Sequence, residues 1–210
     1  MPTLRLRFPG GRYHATPWGH HVNEGLVEWP ACPWRLLRAL IACGFSSQGW
    51  SEMPAVVHSL INKLASVLPS YRLPETSAAH SRHFMPYPEG KNQKTTLVFD
   101  TWANVGDGDL VVHWPCELNS DENALLGRLA GCLGYLGRSE SWVEGELVPD
   151  DEINAGEFNS FPDEDGRQPG RNYEQVSLMA AIPLGEYHTW LDHQLESALA
   201  AFPLPEGKKK

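Results

Sequence analysis

Apolar and cationic residues alternate along residues 3–8, near the start of the chain. A period of two places the leucines and the phenylalanine on one face and Arg5 and Arg7 on the other. This pattern predicts a β-strand that packs one face into a core and presents a cationic second face. The Pro-Gly-Gly sequence at residues 9–11 is expected to end the strand.

Four later stretches have apolar residues at the three- and four-residue spacing of an amphipathic helix. Pro33 favours a helix start, and Gly44 is expected to end that first helix. Asp121 is expected to cap the third helix. The helices are therefore predicted over residues 34–43, 54–68, 121–133 and 186–202.

Runs of β-branched and aromatic residues predict further strands. They cover residues 95–103, 109–114, 142–148 and 175–183. Residues 71–94 are rich in His, Pro, Ser and Lys, lack such a pattern and are predicted to form a loop. Residues 150–172 are acidic, with Gly, Asn and Pro interspersed, and are predicted to be a surface loop or a disordered segment.

The predicted order is strand, helix, helix, strand, strand, helix, strand. This order matches the ferredoxin-like (RRM-like) βαββαβ pattern, an α+β fold whose sheet face often binds RNA. We expect that domain over residues 1–150, the acidic loop over 151–172, an appended strand and helix over 173–202, and a tail or linker over 203–210. Because this fold hosts many functions, the function has to be argued from particular residues.

The composition is that of a globular protein, with 41% hydrophobic and 20% charged residues in a chain of 210. Wholesale disorder is thereby excluded. No apolar run approaches the roughly 20 residues of a membrane span, and the N-terminus lacks the apolar stretch of a signal peptide. A cytoplasmic location without a membrane partner is therefore expected.

The cysteines and histidines predict no metal site. Cys32, Cys43, Cys116 and Cys132 are widely separated, without the Cys-x-x-Cys spacing of a zinc or redox motif, so buried free thiols are expected. The adjacent pair at residues 20–21 points apart and has no further ligand at a suitable spacing. No metal and no cofactor is predicted.

The charge is distributed unevenly along the chain. The overall net charge is −9, but residues 1–100 have a net charge of +4 and residues 101–210 one of −13. Such asymmetry suggests one surface that faces a polyanion and another that faces solvent or protein. Chance segregation in an acidic protein is the alternative.

Three short segments combine cations, imidazoles or hydroxyls, and aromatic rings: residues 11–21, 79–86 and 133–142. Such groups hold a single-stranded RNA backbone and stack on its bases, and each stack contributes roughly 1–3 kcal/mol. In the alternative, the rings anchor loops and the arginines only solvate a strand edge. The candidates in the first strand and the first segment are Arg5, Arg7, Arg12, Tyr13, His14, Trp18 and His20.

The second segment supplies His80, Arg82 and His83, and Lys91 and Lys94 extend its cationic edge. Arginine can pair with a phosphate through two hydrogen bonds, and histidine can hydrogen-bond a phosphate or a 2′-hydroxyl. The same residue types serve a metal-independent ribonuclease, as a base for the 2′-hydroxyl and a cation for the developing charge. A merely solvated loop is the remaining alternative.

In the third segment, Gly134 and Gly137 end the predicted helix, and Arg138 and Ser139 present donors just before the next strand. Glycine permits a close backbone approach. This suits either contact with a phosphate backbone or tight packing against the sheet.

Several strings together resemble the type I-U (also called I-G) CRISPR-associated protein of the Csb group, a fusion of a Cas-five-like half with a Cas-six-like half. The resemblance spans most of the first 150 residues. Arg35 and Arg38 lie within one of the strings and complete the set of expected RNA contacts. The strings are residues 12–19, 22–25, 28–30, 33–39, 82–86 and 133–143.

The resemblance implies a ferredoxin-like fold of the RAMP type and a place in an antiviral crRNA-guided surveillance (Cascade) complex. The Cas-five-like subunit of such complexes grips the crRNA 5′ handle and contacts the backbone subunits and the large subunit. Target DNA near the PAM end is a further candidate partner. The expected function is therefore a non-catalytic subunit that binds the handle and caps the filament.

The chain departs from that family in length. Members are usually about twice as long, and the half that resembles the processing endoribonuclease has no counterpart after Lys210. The chain is then the first half of a fusion, a shortened form or part of a longer protein. Two alternatives stay open: a scaffold whose acidic face binds protein, and an endoribonuclease that processes precursor crRNA. Candidate catalytic residues for the latter are His83, His80, His14 and Tyr13, with Arg82 as the charge stabiliser.

Overall fold

The computed structural model describes residues 1–90, 92–149, 152, 154–163 and 170–201. Within them the protein is a mixed α+β structure with two antiparallel sheets and four α-helices. The elements in chain order are β1 (Thr3–Arg7), β2 (Arg12–Tyr13), α1 (Pro33–Ser47), α2 (Ala55–Ala65), β3 (Ser70–Arg72), β4 (Ser77–Glu89), β5 (Asn92–Asn104), β6 (Asp109–His113), α3 (Ser120–Gly131), β7 (Glu144–Leu147) and α4 (Leu184–Ala201).

The larger sheet has the strand order β3-β6-β1-β7, and every neighbouring pair is antiparallel. Leu4 and Leu6 of β1 are fully buried in the core, to which α1, α2 and α3 also contribute. Burying a leucine side chain contributes about 1.5–3 kcal/mol. The alternation on β1 therefore predicted both the strand and its buried face.

The second face of β1 is cationic, as expected, but its cations are paired. Arg5 and Arg7 lie opposite Glu146 and Glu144 in the register with β7. The Arg5 guanidinium lies 2.6 Å from the Glu146 carboxylate, and the Arg7 guanidinium lies 3.2 Å from that of Glu144. The charges of this strand face are thus largely neutralised.

A long two-stranded arm extends the smaller sheet, whose order is β2-β5-β4. We call β4 and β5 the arm; they pair continuously over 13 residues each, which is about 40 Å of strand. Residues 80–89 and 92–97 are all exposed, whereas Thr101 and Ala103 are buried at its base. Gly90, with φ of +63°, begins the tight connection.

Two prolines, Pro86 and Pro88, lie in β4. Backbone N–H groups two residues apart point to the same edge of a strand, so both prolines remove a donor from one edge. β4 keeps its register with β5 at both positions. The missing donors therefore belong to the outer edge, where strand prolines are tolerated.

The arm corrects one prediction. Residues 71–94, predicted to be a loop, contain most of β3, all of β4 and the start of β5. The alternation that reveals a strand depends on one buried face, and the outer part of the arm has none. The strand predicted over residues 95–103 is confirmed as part of β5.

The four helices are confirmed, but several of their ends differ from the prediction. The second was expected to run to Leu68 and ends at Ala65. The first was expected to stop at Gly44 but continues to Ser47. Gly44 serves packing instead, because a Cβ there would lie 1.9 Å from the Trp50 ring. Asp121 is not the cap of α3: Asn119 accepts a hydrogen bond from the backbone N–H of Glu122, whose carboxylate accepts one from the Asn119 N–H.

The strand predicted over residues 175–183 is wrong. This segment is described but forms no strand; Leu178 and Ala181 pack against the core, and the Met179 carbonyl accepts a hydrogen bond of 3.1 Å from the Trp34 N–H. A segment that packs on the core without joining a sheet needs the same apolar residues as a strand. Composition therefore could not distinguish these two structures. The predicted tail and parts of the predicted acidic loop lie outside the described residues.

Glu122 is a buried carboxylate that joins α2 to α3. Its oxygens accept hydrogen bonds from Ser59 Oγ at 2.6 Å, Lys63 Nζ at 2.6 Å and the Asn119 N–H at 2.8 Å. Burial acts to raise the pKa of Glu122, but these hydrogen bonds outweigh burial and lower it to about 2. The folded protein therefore favours the ionised form more than the unfolded chain does.

The free energy of unfolding is consequently expected to decrease as the pH is lowered. The contribution of Glu122 is fully present above the ordinary glutamate pKa of about 4.3 and is lost as pH falls toward 2. Glu122→Gln should lower the free energy of unfolding by about 1–3 kcal/mol at pH 7, with a much smaller loss at pH 2. Urea unfolding at both pH values measures this. The exposed Asp121→Asn is the control, and a pH-independent loss would contradict the assignment.

Candidate nucleic-acid interface

The three segments singled out in the sequence meet at the base of the arm. Segment 11–21 contributes His14, the arm contributes His83, and segment 133–142 contributes Arg138. Two acids, Asp100 of β5 and Glu140, hold these groups together. We call these five residues the base cluster.

His14 is the buried member of the base cluster, with only 4% of its surface exposed. Its Nδ1 lies 2.7 Å from Glu140 Oε1, and its Nε2 lies 3.4 Å from an Arg138 nitrogen. Its carbonyl accepts a 2.8 Å hydrogen bond from the Arg138 N–H. Gly137, with φ of +86°, permits this approach, since a Cβ there would lie 2.5 Å from the His14 carbonyl oxygen. Segment 133–142 is thereby fixed against segment 11–21.

Arg138 connects the base cluster to the arm. Its guanidinium donates to Asp100 Oδ1 at 3.2 Å and lies 3.7 Å from Glu140 Oε1. Asp100 Oδ2 lies 3.7 Å from Nδ1 of the half-exposed His83. Burial acts to raise the pKa of Glu140, but a backbone hydrogen bond and His14 outweigh burial and lower it. The cluster thus places partly exposed nitrogen donors beside carboxylates, with Arg138 held by a hydrogen bond to Asp100.

Two arginines of the arm region keep their charge available. Arg12 lies 5.8 Å from the centre of the Trp102 ring, and Arg82 lies 5.3 Å from that of Phe99. Neither forms an ion pair within the described part of the chain. A guanidinium stacked on a ring retains its in-plane N–H donors for a phosphate. The Phe99 ring packs closely against Gly25, where a Cβ would lie 2.4 Å from that ring.

Exposed rings lie farther along the arm, beyond Arg82. Phe84 and Tyr87 of β4 are both exposed, and so is the neighbouring Met85. His80, in the other direction, contacts Phe99 in a tilted arrangement, with ring centres 5.2 Å apart. Phe84 shares a face of the arm with Arg82, and Tyr87 shares the opposite face with His83, so each face combines an aromatic ring with a nitrogen donor.

Other residues predicted to contact RNA form ion pairs within the protein. The structure pairs Arg5 with Glu146 and Glu152, Arg7 with Glu144, His20 with Glu24, and Lys94 with Glu89. Exposed pairs of this kind exchange readily with solvent. Ser139 is exposed beside the base cluster, and Lys91 lies outside the described residues.

Tyr13 and Arg35 belong to a buried arrangement around Glu28. Tyr13 is fully buried, and its hydroxyl donates to Glu28 at 3.2 Å. Burial raises the pKa of Tyr13 well above its ordinary value. The Arg35 guanidinium makes hydrogen bonds of 2.7 and 3.1 Å to the two Glu28 oxygens. Both residues stabilise the fold. Trp18 and Arg38 instead line a groove beside α1.

The four candidate catalytic residues are not gathered at one place. Tyr13 is in the core, and both ring nitrogens of His14 already face partners. His80 and His83 are three residues apart on β4 and therefore point to opposite faces. His83 is the exposed imidazole that lies near both a carboxylate and Arg138.

Sequence reasoning missed the acids of this region. Asp100 and Glu140 link the three segments, and Glu28 holds Arg35. A carboxylate repels phosphate, so the residue types that predict RNA contacts did not point to these acids. Two signals were available: Asp100 interrupts a β-branched and aromatic run, and Glu140 stands between two serines in the third segment.

Other site types find little support in the described residues. No group of three or more His, Cys, Asp or Glu side chains there is placed to hold a metal ion, and the four cysteines are free thiols. None of the helices in this part of the chain combines the length and apolar character needed to cross a bilayer. The chain matches no protein-family model, and a comparison with curated proteins finds no match.

Proposed function

We propose that this chain is an RNA-binding, non-catalytic subunit of a type I CRISPR crRNA-guided surveillance complex. In this proposal it binds the crRNA 5′ handle along the arm and at the base cluster, and it caps the backbone filament beside the large subunit. The observation that carries the proposal is the meeting of three cation- and ring-bearing segments at the base of a long exposed hairpin. The resemblance of the sequence strings supplies the identity of the complex.

The topology supports a ferredoxin-like assignment. Leaving out the arm and β2, the elements run β1, α1 and α2, β3, β6, α3, β7. The sheet order β7-β1-β6-β3 places the first strand between the last and the third, as a ferredoxin-like βαββαβ domain requires. We propose this classification, with the arm as an insertion between its second and third strands.

The arm would hold RNA through two kinds of contact. On one face of the arm, Arg82 would bind a phosphate and Phe84 would stack on a base. On the other face, which carries His83, Arg12 would bind a phosphate and Tyr87 would stack on a base, each stack contributing roughly 1–3 kcal/mol. At the base cluster, the Arg138 guanidinium and the His83 imidazole would bind phosphate or 2′-hydroxyl groups. Binding would therefore depend on shape and charge along the strand rather than on one pocket.

Precursor-crRNA cleavage is the second candidate function, and one observation favours it. His83 is half-exposed, lies 3.7 Å from Asp100, and has Arg138 on the same carboxylate. A histidine oriented by a carboxylate can act as a general base, and a neighbouring guanidinium can stabilise the developing negative charge. In that mechanism His83 would take the 2′-hydroxyl proton.

One experiment tests both functions. The purified chain is mixed with end-labelled repeat-derived crRNA in chelator, and bound, free and cut RNA are resolved across a salt series. We expect intact bound RNA, with log affinity falling linearly against log salt by about 0.7 per phosphate contacted. A discrete cut product that His83→Ala abolishes and His80→Ala retains would support cleavage instead. Absence of binding at moderate salt would refute both and favour a protein-binding scaffold.

A further inference from the structure

A groove of about 620 Å³ runs along the exposed side of α1. Its opposite wall is formed by residues 132–137. The residues of α1 that line it include Arg35, Ala39, Ala42 and Ser46. These positions are spaced by three or four, so they form one face of the helix. The groove therefore follows the axis of α1, whose 15 residues span about 22 Å.

The shape of the groove suits another helix. Ala39, Ala42 and Ser46 are small, so the backbone of an incoming helix can approach α1 closely, within the usual 8–10 Å between packed axes. At the rim, Trp18 is 70% exposed and Tyr135 is 56% exposed. Exposed aromatic side chains beside an apolar groove are typical anchors of protein interfaces. A helix laid in the groove would bury both rings.

The charge of the groove favours an acidic occupant. The Arg35 charge is neutralised by the buried Glu28 carboxylate. Arg38 lies 5.6 Å from the centre of the Trp34 ring and has no ion-pair partner among the described residues. Among the described residues that line the groove, Arg38 is thus the one cation whose charge is not neutralised. One cation over an apolar floor suits a carboxylate on a helix better than a polyphosphate strand, which requires several cations.

We propose that this groove is the docking site for an amphipathic α-helix of a partner protein. The apolar face of that helix lies on Ala39 and Ala42 between Trp18 and Tyr135, and a glutamate or aspartate on its flank pairs with Arg38. Recognition of this kind places apolar anchors at every third and fourth residue of the bound helix. The groove borders the base cluster at Gly137, but none of its proposed contacts involves RNA, and measurements of RNA affinity distinguish the two sites.

The test uses a designed probe, a labelled 18-residue helix with leucine at every third or fourth position and glutamate on both flanks. Its binding to the full chain is followed by fluorescence anisotropy. We expect saturable binding that weakens at least tenfold when the flanking glutamates are replaced by lysine. Arg38→Ala should weaken binding of the glutamate probe by about threefold to tenfold, as expected for one charge-assisted contact.

A filling variant tests the groove itself. A Cβ built on Gly134, which lines the groove, would meet no atom within 4 Å. The backbone at Gly134 thus accepts a Cβ without displacing an existing contact, and Gly134→Leu, which adds bulk to the groove wall, should weaken probe binding at least tenfold. Gly131 is the matched control: its Cβ would also meet nothing, and it does not line the groove. Equal probe binding by both variants would overturn the proposal.

Further measurements distinguish a partner helix from two other occupants of the groove, RNA and a second copy of the chain. RNA affinity is measured on the same variants; if Gly134→Leu abolishes RNA binding and single-stranded RNA displaces the probe, the groove is a nucleotide site and the proposal is overturned. The chain's own α4 also exposes apolar side chains, among them Leu184 and Leu195. A dimer at micromolar concentration that Gly134→Leu dissociates would make a second copy the occupant and likewise overturn it.

Discussion

Replacing Glu28 with alanine should lower the free energy of unfolding by about 3–5 kcal/mol, the loss typical of removing one partner from a buried ion pair. Glu28 is only 5% exposed. Its carboxylate accepts hydrogen bonds from Nε and Nη2 of the Arg35 guanidinium, from the Cys32 N–H at 3.0 Å and from the buried Tyr13 hydroxyl. Alanine would leave all of these donors without their acceptor.

The same carboxylate joins segment 11–21 to the start of α1. Arg35 also donates to the Thr16 carbonyl at 3.0 Å, so its position fixes the loop that leads away from β2. Burial acts to raise the pKa of Glu28, but the Arg35 guanidinium outweighs it and keeps the carboxyl ionised. Loss of Glu28 is therefore expected to loosen the base cluster as well as the core.

Thermal and urea unfolding at pH 7 measure the effect. A loss of 3–5 kcal/mol corresponds to a fall in Tm of roughly 10 °C for a chain of this size. Glu144→Ala is the matched control, because Glu144 forms an exposed pair with Arg7 that contributes about 0–1 kcal/mol. Adding Arg35→Met to Glu28→Ala should restore part of the loss by removing the unpaired charge. If Glu28→Ala and Glu144→Ala unfolded alike, the structural role would be rejected.

Combined replacement of Arg12 and Arg82 by alanine should weaken RNA binding about 100-fold at moderate salt. Each guanidinium is stacked on a ring and forms no ion pair with a carboxylate of the described residues, and a charge-assisted contact of about 1.5 kcal/mol corresponds to roughly tenfold in affinity. Loss of two phosphate contacts should also reduce the salt slope by about 1.4. Filter binding across a salt series measures both quantities.

Arg72→Ala provides the matched control for that double variant. It removes the same side chain from β3, but Arg72 is already paired with Glu157. We expect its RNA affinity and salt slope to stay within about twofold of the unmodified protein, as for an exposed paired charge. Circular dichroism verifies that the double variant keeps its fold. An unchanged salt slope in the folded double variant would remove the arm from the RNA interface.

The parts of the fold that sequence predicted are those with one buried face. β1, α1, α2 and α3 each place apolar residues at a regular spacing against the common core. The arm has no such face beyond its base, so β4 and the outer part of β5 show no alternation in the sequence. The strand predicted over residues 175–183 was wrong for the opposite reason. That segment is apolar enough for a strand, but it packs against the core without joining a sheet.

The candidate site was predicted as three separate segments but not as one place. Residue types identified them, and long-range pairing of β2 and β4 with β5 brings two of them together. Asp100 and Glu140 could not be assigned from cations and rings alone. Whether the Arg5 or the Arg12 guanidinium can bind a phosphate also depends on neighbours far along the chain. Glu146 neutralises Arg5, whereas Arg12 lies over the Trp102 ring.

The two prolines of β4 bear on how the molecule behaves in a crowded solution. An exposed strand with a full row of free amide donors is a template onto which another copy can add, and repeated addition leads to fibrils. Pro86 and Pro88 interrupt that row on the outer edge of β4. The protein can therefore carry a long, ring-bearing hairpin in water while resisting edge-to-edge aggregation through β4.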